Sequence, residues 1–223
     1  MLQPLHSMIR QLPAMLAAAA IALFVPTAVA GAQPAPGSPA RPRQTEADAY
    51  TRYELLAPGS AKFRIVYEVT ATAPGATLYF NPIRKGSTAS DETVTDRMTG
   101  APLTFEVVPG AEARAGGLAS ADTATDYIRV HLARPVPAEG GARVLIIKTY
   151  QDTASYFEER GLLVFSRSLS IKRNAVVLPP GYELVACNYP SQVRSESDGR
   201  ISVSFINTSP AAAPLVVRAR RLP

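Results

Sequence analysis

Residues 174–207 read NAVVLPPGYELVACNYPSQVRSESDGRISVSFIN, and no other stretch of the chain restricts the fold so tightly. An apolar run at 175–178 is closed by Pro179-Pro180-Gly181, a second at 182–187 leads into a polar loop ending on Asp198-Gly199, and a third occupies 201–205. Proline and glycine end strands in such positions, because proline cannot donate to a ladder and glycine takes the backbone angles that turns require. Within the runs the period is 2. Tyr182, Leu184 and Ala186 fall on one face, Cys187 continues the face of Val185, and Ile201, Val203 and Phe205 oppose Ser202 and Ser204. Alternation of this kind belongs to strands with one buried and one wet face, and it excludes an amphipathic helix, whose apolar positions follow the helical turn instead.

The same pattern recurs from Tyr50 onward. Phe63, Ile65, Tyr67 and Val69 alternate with Lys62, Arg64 and Glu68 between Pro58-Gly59 and Pro74-Gly75. Further strands are predicted at 77–80, 103–108, 126–132, 162–169 and 215–220, the last with Leu215 and Val217 inward and Arg218 and Arg220 outward. The run Val144, Leu145, Ile146, Ile147 lacks alternation, which predicts a central strand over 143–150 buried on both faces. Residues 81–100 read as a long polar connection, and 109–126, rich in Ala and Gly, as a mobile surface loop. The single place for a helical turn is 152–160, with Asp152 as its N-cap. About twelve short strands with Gly/Pro punctuation predict an all-β protein, an antiparallel β-sandwich over 46–223 with at most one helical turn. An immunoglobulin-like sandwich falls in this class, and so do two smaller lobes meeting near 151–159.

Ahead of the strands, residues 1–30 carry the three parts of a secretory signal: Arg10, an apolar run over 12–25 broken only by Pro13, and Ala28-Val29-Ala30. The run is shorter than the roughly 20 residues a bilayer span requires. The expectation is export with cleavage after Ala30 and no stable membrane span thereafter; retention as an anchor is the rival outcome. The alanine-rich signal has the bacterial form, which places the mature chain in a periplasm or outside the cell. Residues 31–45 are a Pro/Ala-rich tether with no apolar period, expected to be disordered or extended. Lys and Arg outnumber Asp and Glu by 23 to 18. Because that excess is scattered and forms no phosphate-tracking stripe, no nucleic-acid partner is expected.

The segment from 171 to 178, leading through Pro179-Pro180-Gly181 into 182–187 and then into Asp198-Gly199-Arg200-Ile201-Ser202-Val203-Ser204-Phe205, resembles the β-domain that precedes the catalytic domain in zinc aminopeptidases of the gluzincin type. It is also similar to uncharacterised exported bacterial sandwich proteins. The likeness is one of rhythm over roughly a third to half of the mature chain. It implies architecture alone: the His-Glu-x-x-His zinc motif of those peptidases is absent from this sequence, and fold by itself implies no function.

Catalytic side chains are scarce. A hydrolytic triad needs an imidazole, and His131 is the single histidine beyond the signal. No serine stands in Gly-x-Ser-x-Gly. Asp91, Glu92 and Asp96 match no calcium-loop spacing and read as a solvated acidic loop. Adjacent Glu158 and Glu159 read as a solvated turn, and Cys187, the only thiol, as a small buried apolar residue. The best candidate site is the trio Tyr127, Arg129 and His131, which share one face of a strand opposite Ile128, Val130 and Leu132. A phenol, a guanidinium and an imidazole together suit an anionic ligand; the same trio is also what the solvated side of a strand carries. No cofactor and no metal is expected. The functional expectation is an exported, non-enzymatic module of the bacterial cell envelope that binds a protein, peptide or glycan. The alternative is a hydrolase using a carboxylate pair that sequence does not reveal.

Overall fold

The computed structural model describes residues 43–223, which lie in one compact unit. The export signal at 1–30 and the tether up to residue 42 fall outside the described residues. Among those described, fourteen strands and one short helix form three sheets. The largest carries, in spatial order, β12 (Gln192–Ser195), β13 (Ile201–Ile206), β10 (Arg173–Val177), β1 (Glu46–Leu55), β2 (Lys62–Ala71), β7 (Ala142–Gln151) and β4 (Thr88–Asp96). A four-stranded sheet runs β11 (Tyr182–Cys187), β14 (Ala213–Arg221), β9 (Leu162–Leu169) and β8 (Tyr156–Glu159). A three-stranded sheet runs β3 (Leu78–Pro82), β6 (Asp126–His131) and β5 (Phe105–Pro109). The strand ladders are antiparallel except that of β1 with β10, where Tyr53 faces Val176 in parallel register.

Strand parity decides what meets what. Tyr53 on β1 and Phe63 on β2 pack against Phe165 of the four-stranded sheet, with ring centroids 5.4 and 5.3 Å apart. Tyr67 lies on the same face of β2 as Phe63, because the two are an even number of positions apart. It meets Tyr79 of the three-stranded sheet, their hydroxyls 3.1 Å apart. Both smaller sheets therefore cover one face of the large sheet. One apolar cluster, with Phe63, Val69, Ile146, Ile128, Phe165 and Val217 among its members, runs through all three. Burying each such side chain contributes about 1.5–3 kcal/mol. The opposite face of the large sheet is mixed: Val66, Leu145, Ile147 and Val177 stand on it beside a charged network in which Glu54 accepts from Arg52 and Arg64, and Arg52 also reaches Glu196. The architecture is the all-β sandwich that alternation predicts.

Several local expectations are corrected. Residues 81–100 include the edge strand β4, which pairs with β7 from Thr88 opposite Gln151 to Asp96 opposite Val144. Of its residues only Val94 is fully buried, so the segment carries no apolar alternation to announce a strand. The expected loop at 109–126 holds the helix α1 (Gly110–Ala115). Alanine there is the strongest helix former rather than a mark of looseness, and Ala113 is buried against Phe80, Val108, Ala121 and Tyr127. Gly110 starts this helix because a Cβ would run into the Asp122 carbonyl. At 152–160 the helical turn is replaced by β8 and a hairpin. Asp152 does accept the N–H groups of Ala154 and Ser155, as a cap would. Beyond them, Arg160 and Gly161, with φ of 51° and 76°, form a two-residue turn that pairs Glu159 with Leu162.

Two strands also differ in their facing. On β7, Val144 and Ile146 are buried while Leu145 and Ile147, on the face turned away from the two smaller sheets, are half-buried. On β11 a bulge between Leu184 and Ala186 reverses the parity, so Cys187 joins the inward face of Tyr182 and Leu184 while Val185 and Ala186 are exposed.

Candidate functional site

The alternation that buries Val144 and Ile146 carries Lys148 to the same face of β7, and Tyr150 after it. On β9 the same rule sends Arg167 inward between Phe165 and Leu169. Two cations thus stand at core positions on either side of the gap where the two smaller sheets part over the large one. That gap is a cleft of about 640 Å³. Its floor includes Thr51, Tyr53, Tyr67 and Lys148 of the large sheet. One wall is Tyr79 to Lys85 at the end of β3, and the other is Arg167 to Ile171 at the end of β9. Arg84 ties the walls together by donating to the Ser168 carbonyl at 3.1 Å, while its own N–H donates to the Tyr150 hydroxyl at 3.0 Å.

Arg167 is neutralised. Its guanidinium donates to Asp152 Oδ2 at 2.9 Å and Ser155 Oγ at 3.0 Å, and lies over the rings of Phe63 and Tyr150. Burial pushes the Asp152 carboxyl up, yet hydrogen bonds from the Ser155 hydroxyl and N–H, from Ser87 and from Arg167 hold it below the usual carboxylate range. Lys148 differs. It is 4% exposed, and its ammonium donates to Asn81 Oδ1 at 2.6 Å and to the Pro82 carbonyl at 3.3 Å, both neutral acceptors. Burial, with Arg167 adding repulsion, pulls it down to about 7. Other polar groups line the cleft. Thr51 Oγ1 is buried and approaches the Tyr53 phenol without meeting hydrogen-bond geometry. Tyr79 donates to Glu46 Oε2 at 2.6 Å at the rim, and burial raises both Tyr79 and its neighbour Tyr67.

The structure separates the trio that sequence singled out. Tyr127 is buried in the small cluster beside α1, lines the cleft, and accepts the Asp122 N–H at 2.9 Å through its hydroxyl. Arg129 and His131 lie outside the cleft, where both meet Glu106 Oε1, at 2.9 and 3.0 Å. Glu106, a neighbour across the β5–β6 ladder, is drawn down to about 2 chiefly by the Arg129 hydrogen bond and then by that of His131. A carboxylate of the chain already occupies the place where an anion would sit on these two. Asp91, Glu92 and Asp96 are spread along β4 rather than gathered on a loop, and no three metal-ligating side chains converge among the described residues. Glu158 and Glu159 are exposed neighbours on β8, which point to opposite faces of their strand.

Lys148, Arg167, Tyr79 and Glu46 were not singled out by sequence reasoning. The available signal was parity: Lys148 continues the series Val144, Ile146, and Arg167 the series Leu163, Phe165. A cation in an inward register is the anomaly that marks a buried polar site.

No family model matches the chain, and no curated protein matches it by sequence. By structure it is similar to an M1 zinc metallopeptidase from Deinococcus radiodurans, with 14% identity and a TM-score of 0.47 over 77% of this chain and 41% of that one. It is also similar to an aminopeptidase N family protein from Idiomarina loihiensis, with 9% identity and a TM-score of 0.45 over 78% of this chain and 29% of that one. The chain spans about two fifths of the metallopeptidase and less of the second protein.

Proposed function

We propose that this chain is an exported, non-enzymatic module of the bacterial cell envelope that binds a protein segment, peptide or glycan in the cleft between its two smaller sheets. The observation that carries this reading is the cleft itself, open to solvent and lined by tyrosines and by inward-facing polar groups. Concave sites with an aromatic lining and a few convergent polar groups are where folded domains take ligands. The Tyr127, Arg129 and His131 face contributes Tyr127 to this site and leaves the other two side chains to Glu106. Export rests on the Arg10, apolar-run and Ala28-Val29-Ala30 arrangement. No helix among the described residues is long and apolar enough to cross a membrane.

The test is a peptide and glycan array probed with the purified chain and with Ser168→Trp, which sets a large ring on the exposed lip of the cleft. Ligands retained by the native chain and lost in this variant, with an unchanged melting curve, are the expected result. Retention unaffected by Ser168→Trp, or turnover of any array member, would overturn the reading.

A further inference from the structure

A buried lysine costs stability, and in return the fold offers Lys148 two hydrogen bonds and the ring of Tyr150, whose centroid lies 4.9 Å from the ammonium, but no counter-ion among the described residues. Its two acceptors are neutral oxygens, and no carboxylate pairs with it among the described residues. The charged groups of the elements packed around it can be named. Glu92 on the neighbouring β4 is the one that favours its charge, and Arg167 on β9 opposes it. Arg84 and Lys85 add positive charge on the cleft wall. Glu46, the acidic group of the rim, is engaged by Tyr79. The cleft is therefore a site of net positive charge with one cation unmatched.

We propose that Lys148 is the anchor of the cleft and that its ligand presents an anionic oxygen group, carboxylate or phosphate, to the Lys148 ammonium beside Asn81. This rests on the cleft being the binding site, and specifies the chemistry that it selects. An entering anion supplies the missing counter-charge, so binding and protonation of Lys148 are coupled: each favours the other. Because the free amine titrates at about 7, the affinity for an anion whose own charge is constant falls about tenfold per pH unit above that value.

The experiment follows the Lys148 side-chain resonance in lysine-labelled protein while D-glucuronate, dimethyl phosphate or the neutral methyl D-glucoside is added. The two acids distinguish a carboxylate from a phosphate source. At least one of them is expected to shift the resonance and to bind about a hundredfold more weakly at pH 9 than at pH 6, with the glucoside giving neither effect. Lys148→Met should lose this binding. Asn81→Asp, which is nearly isosteric and keeps the lysine, places a carboxylate beside the ammonium; it should raise the Lys148 titration and also abolish binding. Neither acid moving the resonance, or equal binding in Asn81→Asp and the native chain, would overturn the proposal. An array ligand that Ser168→Trp excludes but that ignores both pH and Lys148→Met would overturn the anion anchor while leaving the cleft as the binding site.

Discussion

At the scale of the residue, the two inward cations of this sandwich follow opposite rules. Arg167 has a counter-ion and donates two hydrogen bonds from one terminal nitrogen, so removing its partner leaves a buried charge unmatched. Asp152→Asn is expected to cost about 3–5 kcal/mol in a denaturant melt at neutral pH. Asp152 is held below the usual carboxylate range, so its contribution is complete above the unfolded value and disappears as pH falls through the folded one. The acid limb of the stability curve should accordingly be shallower in the variant than in the native chain. For Lys148 the sign is reversed. Its folded value lies below the ordinary 10.5, at about 7, so the unfolded chain binds the extra proton between those limits and stability rises with pH across them. Lys148→Met should stabilise the fold by about 3–5 kcal/mol below pH 7, with the gain shrinking towards pH 10. A variant no more stable than the native chain at pH 6 would mean that the ammonium is hydrated.

At the scale of the element, alternation was the reliable signal, and its failures have local causes. Strands with one buried face (β2 and β14) are legible because the packing of the layers demands strict parity there. The edge strand β4 is polar, and α1 is a single alanine-rich turn whose one buried side chain gives no period. β8 was hidden by an N-cap residue that caps a turn instead of a helix. β7 offers a direct check. Ile146→Ala should cost about 2–5 kcal/mol, whereas Leu145→Ala, on the outer face, should cost less than half as much in the same urea melt. Equal losses would mean that the outer face of this sheet is also covered. The bulge in β11 was invisible because one inserted residue changes no composition, yet it transfers Cys187 from one face to the other.

At the scale of the whole molecule, export is the property most open to a single measurement. Protein recovered from an exporting host is expected to begin at Gly31, and an intact Met1 in the membrane fraction would overturn cleavage. For the folded part, the sequence by itself determined the class, the strand-rich character and the inward register of most strands. Each of these is set by neighbours two residues apart, and the chain states them directly. The tertiary structure alone decided that β1 lies beside β10 in parallel, so that Tyr50 faces Arg173 across more than half the chain. It also decided that two separate sheets share one face of a third. The cleft between them is a product of that packing, as is the meeting of Lys148 with Asn81 across it. No local pattern encodes either, because the partners are far apart in sequence and their distance is fixed only when the layers close.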